Sequence, residues 1–129
     1  MEENLNKWNI AVGEWYATPG SRLHRLLASA KTRDRARGYE TTLTLEQLRD
    51  LALQSRGRCA LSGVSFSDEI FGKGRLRPLA MSLDRIRSGG GYSKGNCRFV
   101  CVAINLALGS WGDAVLRRLA YGIVVRDYF

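Results

Sequence analysis

The sequence predicts a single, mainly helical α+β domain with one hairpin near its centre. Its 129 residues suit one domain, and 45% of them are apolar, which is ordinary globular composition. Two stretches, 21–37 and 45–55, place leucines at helical spacing. Farther along the chain, two short apolar runs flank a glycine-rich segment at 87–95, which is the pattern of two strands joined by a loop.

The N-terminal part, 1–57, is predicted to be helical and basic. An irregular apolar pattern over 4–16 predicts a first helix, which is broken at Pro19. The second helix, 21–37, combines an apolar stripe with a single acid, Asp34. Its six cations favour contact with phosphate over a merely solvated face; they are Arg22, Arg25, Lys31, Arg33, Arg35 and Arg37.

A capping box, Thr44 to Gln47, predicts the start of a third helix that runs to about residue 55. A turn and short strand are predicted at 58–66. A polar loop follows at 67–79, rich in glycine and carrying cations that suit DNA.

The central part, 58–108, is predicted to contain the core of the domain. It comprises a strand at 79–86, a loop at 87–95, a strand at 96–100 and a helix at 101–108. The C-terminal part, 109–129, is predicted to form a helix at about 112–124. Its apolar residues are expected to close over the core; they are Val115, Leu116, Leu119 and Ile123.

The net charge of +8 indicates a polyanionic partner. All but four of the 20 basic residues are arginines, whose planar guanidinium groups bind phosphate oxygens in pairs. The bland alternative is a basic surface that only keeps the protein soluble. We expect DNA contacts from nine residues: Arg22, Arg25, Arg33, Arg35, Arg37, Arg75, Arg77, Arg87 and Lys94.

Other features of the composition predict a cytoplasmic protein with no membrane association. The chain has no run of eighteen apolar residues, and its first residues are acidic and polar, unlike a signal peptide. Three cysteines, an odd number, argue against a disulfide scaffold.

Asp84 and Asn105 are the candidate metal ligands. Asp84 ends the first predicted strand, and Asn105 lies on the helix behind the second. A hairpin followed by a helix brings such positions together. One carboxylate and one amide oxygen suit Mg²⁺, which binds few protein ligands and keeps positions open for water and phosphate.

Residues 82–105 read SLDRIRSGGGYSKGNCRFVCVAIN, and the segment resembles the HNH (ββα-metal) endonucleases. It is most similar to a phage-type branch with the pattern S-[LI]-D-R-I…G-Y…G-N…V-C…N. Upstream, 58–63 reads RCALSG, which is similar to a motif that precedes the hairpin in that branch. The likeness covers roughly 22–120. It implies a ββα-metal core and an endonuclease, dependent on Mg²⁺ or Mn²⁺, that cuts or nicks duplex or branched DNA and is encoded by a phage or mobile element.

The resemblance also implies roles for individual residues. Asp84 and Asn105 would hold the metal, Asn96 would orient the end of the first strand, and Arg85 stands where the family has its histidine base. Arginine cannot accept a proton at ordinary pH, so Arg85 is expected to clamp the scissile phosphate instead. A lysine common in the family three residues beyond the helix ligand is replaced by Leu108.

The identity of the general base stays open at this point. The candidates are Tyr92 in the glycine-rich loop at 87–95 (the glycine loop), the single histidine His24, and Asp84 itself. The remaining choice is activation of water by the metal alone.

Structural zinc is not expected. Family members often carry two C-x-x-C pairs, whereas the corresponding places here hold Cys59 with Ser62 and Cys101 with Ile104. Apolar packing is expected in place of the metal.

The sequence is compatible with two functions. The first is the metal-dependent DNA endonuclease. The alternative is a DNA-binding module on the same fold that has lost catalysis, which the missing base favours.

Overall fold

A computed structural model describes residues 2–129, with side chains from residue 4 onward. The described chain forms five α-helices and one two-stranded antiparallel sheet, so the predicted mainly helical α+β class is confirmed. The elements are α1 (Glu2–Ala17), α2 (Arg22–Arg37), α3 (Leu45–Ser55), β1 (Met81–Arg85), β2 (Cys97–Cys101), α4 (Val102–Leu108) and α5 (Asp113–Tyr128). No helix in this described range is long and apolar enough to cross a bilayer.

The first three helices pack against one another and bury most of the core. Val12 on α1, Leu23 on α2 and Leu48 on α3 are completely buried. The predicted capping box is present, since the Thr44 hydroxyl accepts from the Gln47 amide at 3.1 Å and the Gln47 carboxamide accepts from the Thr44 amide at 3.0 Å. The apolar spacing of the sequence therefore correctly predicted how α2 and α3 face the core.

The aromatic residues of α1 explain its irregular apolar pattern. The indole of Trp8 donates a hydrogen bond to the Ala52 carbonyl on α3 at 2.9 Å. The same ring meets Trp15 edge to face and stacks on Phe66. Large rings reach partners on both sides of the helix, so the apolar positions of α1 need not follow one narrow stripe.

The hairpin is shorter than predicted. β1 and β2 pair from Met81 opposite Cys101 to Arg85 opposite Cys97, and the flanking residues predicted as strand lie outside the ladder. Leu83 and Phe99 face each other and enter the main core. Helix α4 follows β2 directly and packs on both strands.

The segments between α3 and β1 contain little regular structure. Residues 58–66 form a turn with a single bridge, between Arg58 and Ser65, in place of a strand. Residues 67–79 contain turns and expose Phe71 and Leu76.

The prediction that the last helix closes over the core is wrong. Helix α5 extends to Tyr128, and none of its residues is buried. Val115, Leu119 and Ile123 are 42%, 59% and 62% exposed, and Leu116 is only half-buried. The reason is that α2 and α3 already pack on the hairpin's inner face, so α5 meets the rest of the chain mainly at α4.

Candidate metal and nucleic-acid site

Asp84 and Asn105 line the same cleft, which opens beside the hairpin. Asp84 is on β1, and Asn105 is on α4, which packs against that strand. The cleft has a volume of about 340 Å³, and we call it the hairpin cleft. Its walls are formed by Arg33, Arg37, Ser82, Leu83, Asp84, Arg85, Ser88, Tyr92, Val102, Asn105, Leu106 and Gly109.

Asp84 is held by an arginine that the sequence did not single out. Arg98 lies directly opposite it on β2 and donates from Nε to Asp84 Oδ2 at 3.0 Å. The rest of the same guanidinium donates to both oxygens of Asp113, at 2.8 and 2.6 Å. The side chains of Asp84 and Arg98 are only 12% and 15% exposed. One arginine thus ties β1, β2 and the first turn of α5 together.

The surroundings of Asp84, Arg98 and Asp113 shift the pKa of each of these side chains. Burial raises the pKa of Asp84, although the Arg98 hydrogen bond opposes the shift. The hydrogen bond to Asp113 raises the pKa of Arg98, and the same bond lowers the pKa of Asp113. Asp84 is consequently a desolvated carboxylate with one cation already beside it, which is an environment common at functional sites.

Asn105 is oriented by its contacts with β1. Its Nδ2 donates to the Ser82 hydroxyl at 2.6 Å and more weakly to the Leu83 carbonyl at 3.3 Å. Because a carbonyl oxygen can only accept, the amide nitrogen must face the strand. The Oδ1 of Asn105 makes no hydrogen bond among the described residues, and neither does Asp84 Oδ1.

These two oxygens fit a hard divalent cation. Both belong to residues that line the hairpin cleft, and neither is used by the surrounding hydrogen bonds. A carboxylate oxygen and an amide oxygen are ligands that Mg²⁺ prefers, with water filling the other positions. Among the described residues no group of three or more His, Cys, Asp and Glu side chains could share an ion, so a cation here would depend on few protein ligands.

Arg85 is partly committed to the glycine loop. Its Nη1 donates to the carbonyls of Ser88 and Gly90, at 2.9 and 2.8 Å. The guanidinium carbon also lies 5.9 Å from the ring centroid of Tyr39 and 5.8 Å from that of Tyr92. Arg85 lines the cleft, but these contacts show that it also fixes the shape of the loop behind the cleft.

Asn96 links the two ends of the glycine loop by hydrogen bonds. Its carboxamide is buried, accepts from the Arg87 amide at 2.8 Å, and donates to the carbonyls of Arg87 and Gly91 at 3.0 and 3.1 Å. Its Oδ1 and Nδ2 are thus both engaged by backbone groups of the loop. Asn96 therefore stabilises the loop beside the cleft but does not itself line the cleft.

Tyr92 and His24, two of the three candidate bases, occupy different places. Tyr92 lines the cleft, is 4% exposed, and accepts a hydrogen bond from Arg33 Nε at 3.1 Å through its phenolic oxygen. His24 does not line the cleft and bonds through Nε2 to the Tyr16 carbonyl on α1 at 2.8 Å. Of the two, only Tyr92 is positioned to reach a group bound in the cleft.

The cations predicted to contact DNA fall into three groups. Arg33 and Arg37 line the cleft. Arg22 is engaged elsewhere, because it pairs with Asp68 at 2.8 Å and stacks over Trp15 at 4.5 Å. The others are exposed on α2 or on loops away from the described cleft wall: Arg25, Arg35, Arg75, Arg77, Arg87 and Lys94.

Two of the three cysteines belong to a small apolar cluster. Cys59 and Cys101 pack with Val100, and Ile104 covers them. Burial tends to raise the pKa of Cys59, but hydrogen bonds from Ser62 and nearby backbone outweigh it, so that pKa is lowered. In the main core, burial raises the pKa of Cys97 to about 11.

Sequence reasoning missed Arg98, Asp113 and Asp34. Arg98 could be paired with Asp84 only after the strand register was known, and the long loop between the strands does not fix that register. Asp113 required the placement of α5. Asp34 appeared as one acid among many cations, yet it is completely buried and bonds to the Tyr92 amide at 2.8 Å.

No protein-family model, no curated protein and no solved structure matches the chain.

Proposed function

We propose that this chain is a DNA endonuclease that uses Mg²⁺ or Mn²⁺ bound between Asp84 and Asn105. The single observation that carries the proposal is the pairing of two unused oxygens, on Asp84 and Asn105, with arginines in one cleft. The resemblance of 82–105 to the HNH pattern supports the same chemistry. The excess of arginine supports DNA as the substrate.

The proposal gives separate roles to Arg33, Arg37, Arg98 and Tyr92. Arg33 and Arg37 bind the phosphates on either side of the scissile bond. When bound, the cation supplies charge neutralisation at the scissile phosphate and at the leaving oxygen. Arg98 holds Oδ2 of Asp84 through a hydrogen bond that opposes the rise in the pKa of this carboxyl caused by burial. Tyr92, whose oxygen is held by Arg33, orients the attacking water.

A second function, DNA binding without catalysis, is favoured by a specific observation. Arg98 already neutralises Asp84, and no histidine is among the described residues that line the cleft. In that case the arginines of the cleft would bind DNA while the ligand oxygens stay unused.

Supercoiled plasmid distinguishes the two functions. With Mg²⁺ or Mn²⁺ we expect conversion to open circles, and none in EDTA. Asp84→Asn and Asn105→Ala should each lower the rate at least about a hundredfold, because each removes one of two protein ligands. Matched controls are Asp50→Asn and Asn9→Ala, which change exposed residues on α3 and α1. Plasmid retention without nicking in any metal would leave only the DNA-binding module.

The Asp84→Asn variant should also lose metal binding without losing its fold. Because burial raises its pKa above the ordinary 3.8, the folded protein binds more protons than the unfolded chain between those two values. Stability therefore falls as pH rises from 3.8 through the raised pKa, and replacing the carboxyl by a neutral amide removes this loss. We expect an unchanged or higher melting temperature at pH 7 and no Mg²⁺ heat in calorimetry. A lower melting temperature would mean that Asp84 serves the structure.

A further inference from the structure

Cys59 and Cys101 come from distant parts of the chain and lie side by side in a small buried cluster outside the main core. Both carry free thiols, and they are 2% and 4% exposed. The Ala60 amide donates to the Phe99 carbonyl at 2.9 Å, which holds the turn at 58–66 against β2 and keeps the two sulfurs together. The proposed nuclease chemistry gives this pair no role.

The two thiols differ in their tendency to ionise. Burial alone would raise the pKa of Cys59, but hydrogen bonds from the Ser62 side chain and from the backbone amides of residues 61, 62 and 101 lower it below its ordinary value. Burial raises the pKa of Cys101, and the adjacent Cys59, with which its thiol forms a hydrogen bond, adds to the rise. A thiolate in contact with a protonated thiol suits oxidation in two steps, because the thiolate is the nucleophile toward an oxidant and the second thiol can then displace the oxygen.

We propose that the Cys59–Cys101 pair is an oxidation site, which hydrogen peroxide converts into a disulfide within one chain. The Cys59 thiolate attacks one peroxide oxygen, the O–O bond breaks, and a sulfenic acid forms with release of hydroxide. The Cys101 sulfur then attacks the sulfenic sulfur, the S–O bond breaks, and the thiol proton leaves with the oxygen as water. The two sulfurs together lose two electrons, which the peroxide gains. A dithiol reductant reverses the change by thiol–disulfide exchange.

Burial selects which molecules can take part. Ala60, Ser62 and Gly63 on the turn beside Cys59 are exposed, so a small opening of this turn admits a small neutral molecule such as peroxide. A bulky thiol such as glutathione needs a much larger opening. Cys101 is the one thiol among the described residues that packs beside Cys59, so the sulfenic acid reacts within the chain.

Cys97 provides a control inside the same protein. It is equally buried, but it belongs to the main core, where its thiol donates to the Ser93 carbonyl at 2.9 Å. No second cysteine of the described chain shares that cluster, so Cys97 should stay reduced.

The disulfide would tie the turn at 58–66 to the residue that begins α4. Cys101 is the N-cap of this helix, and Asn105 on the same helix lines the hairpin cleft. Closing a long loop in this way stabilises a fold mainly by restricting the unfolded chain. The oxidised protein should therefore melt about 5 °C or more above the reduced one.

Peptide mapping by mass spectrometry of the native protein tests the proposal without reference to nuclease activity. After peroxide treatment, the remaining thiols are blocked with N-ethylmaleimide before digestion. We expect one linked pair of peptides that joins Cys59 to Cys101 and has lost two hydrogen atoms, with Cys97 blocked as a free thiol. Dithiothreitol should restore three free thiols. The Cys97→Ala variant should form the same link at the same rate.

Two further variants test the order of the steps. Cys101→Ser should stop at the sulfenic acid, which dimedone labels at Cys59, and Cys59→Ser should oxidise at Cys101 at least about tenfold more slowly, because that thiol keeps its proton. Circular dichroism confirms that each variant is folded, and the mapping of the unmodified chain needs no variant.

The proposal would be overturned if all three thiols stayed free at peroxide concentrations that fully oxidise glutathione. A link that includes Cys97, or disulfides only between separate chains, would overturn it as well. So would an oxidised form that melts no higher than the reduced protein.

Discussion

Asp34 shows how one buried acid can shape a cleft that it does not line. Its Oδ2 accepts from the Thr41 hydroxyl at 2.6 Å and from the Tyr92 amide at 2.8 Å. The Tyr92 carbonyl in turn accepts from the amides of Thr42 and Leu43. The glycine loop is thereby fastened to the segment after α2, and the Tyr92 ring is fixed at the cleft wall.

This fastening requires a glycine beside Tyr92. A Cβ on Gly91 would lie 2.3 Å from the Glu40 carbonyl oxygen and 3.0 Å from Asp34 Oδ2. We therefore expect Gly91→Ala to destabilise the fold by about 2–3 kcal/mol, because backbone must move to admit the methyl group. The control is Gly89→Ala in the same loop, where a Cβ meets nothing within 4 Å and the change should stay within about 0.5 kcal/mol. Urea denaturation measures both, and equal effects would contradict the packing.

At the scale of elements, Arg98 joins three pieces of secondary structure. It lies on β2, bonds to Asp84 on β1, and holds both oxygens of Asp113 at the start of α5. An acid in the first turn of a helix is also favoured by the helix dipole. Since α5 has few other contacts with its own chain, this clamp sets where α5 begins.

Removing the clamp should have a pH-dependent cost. The Arg98 hydrogen bond lowers the pKa of Asp113 below 3.8, so the stabilisation is full above pH 3.8 and is lost as pH falls through the lowered value. The Asp113 side chain is 38% exposed, so solvent screens the pair. We expect Asp113→Asn to cost about 0.5–1 kcal/mol at pH 6. The difference from the unmodified protein should become smaller as pH falls below 3.8, measured by denaturation at pH 6 and at pH 3. A cost that is constant with pH would mean that the charge of Asp113 is not what matters.

The sequence predicted the elements far better than it predicted their partners. Leucines at helical spacing and the Thr44 box located α2 and α3, since local signals decide those helices. Asp84 and Asn105 were expected to meet, and they do line one cleft. The same apolar spacing placed α5 correctly along the chain but against the wrong surface, because periodicity shows that a face needs cover and not what covers it.

The cross-strand and cross-helix contacts of the site could not be predicted in this way. Arg98 meets Asp84 only through the register of the hairpin, and Asp34 meets Tyr92 only through the docking of the glycine loop on α2. Both contacts join residues far apart in the chain, and spacing within one element carries no information about them.

At the scale of the whole molecule, charge and its placement determine how a polyanion would bind. A net charge of +8 would attract a polyanion such as DNA over much of the protein surface. The cleft concentrates part of that charge, since Arg33, Arg37 and Arg85 share its wall. If the whole basic surface bound DNA, arginines in and outside the cleft would contribute equally to binding. If the cleft bound DNA, the arginines of its wall would contribute more.

The salt dependence of DNA binding separates these two cases. Arg37 is exposed, lines the hairpin cleft and has no ion pair among the described residues, so in the proposed complex it contacts a phosphate. Arg37→Ala should weaken binding and reduce the slope of log K against log salt by about 1, because one fewer counterion is released. Arg126→Ala removes the same charge from an exposed position on α5 that does not line the cleft, and it should leave the slope nearly unchanged. Fluorescence anisotropy on a short duplex, across a range of salt, gives both slopes. If the two variants lowered the slope equally, the basic surface as a whole would bind DNA, and the hairpin cleft would not be the place where it docks.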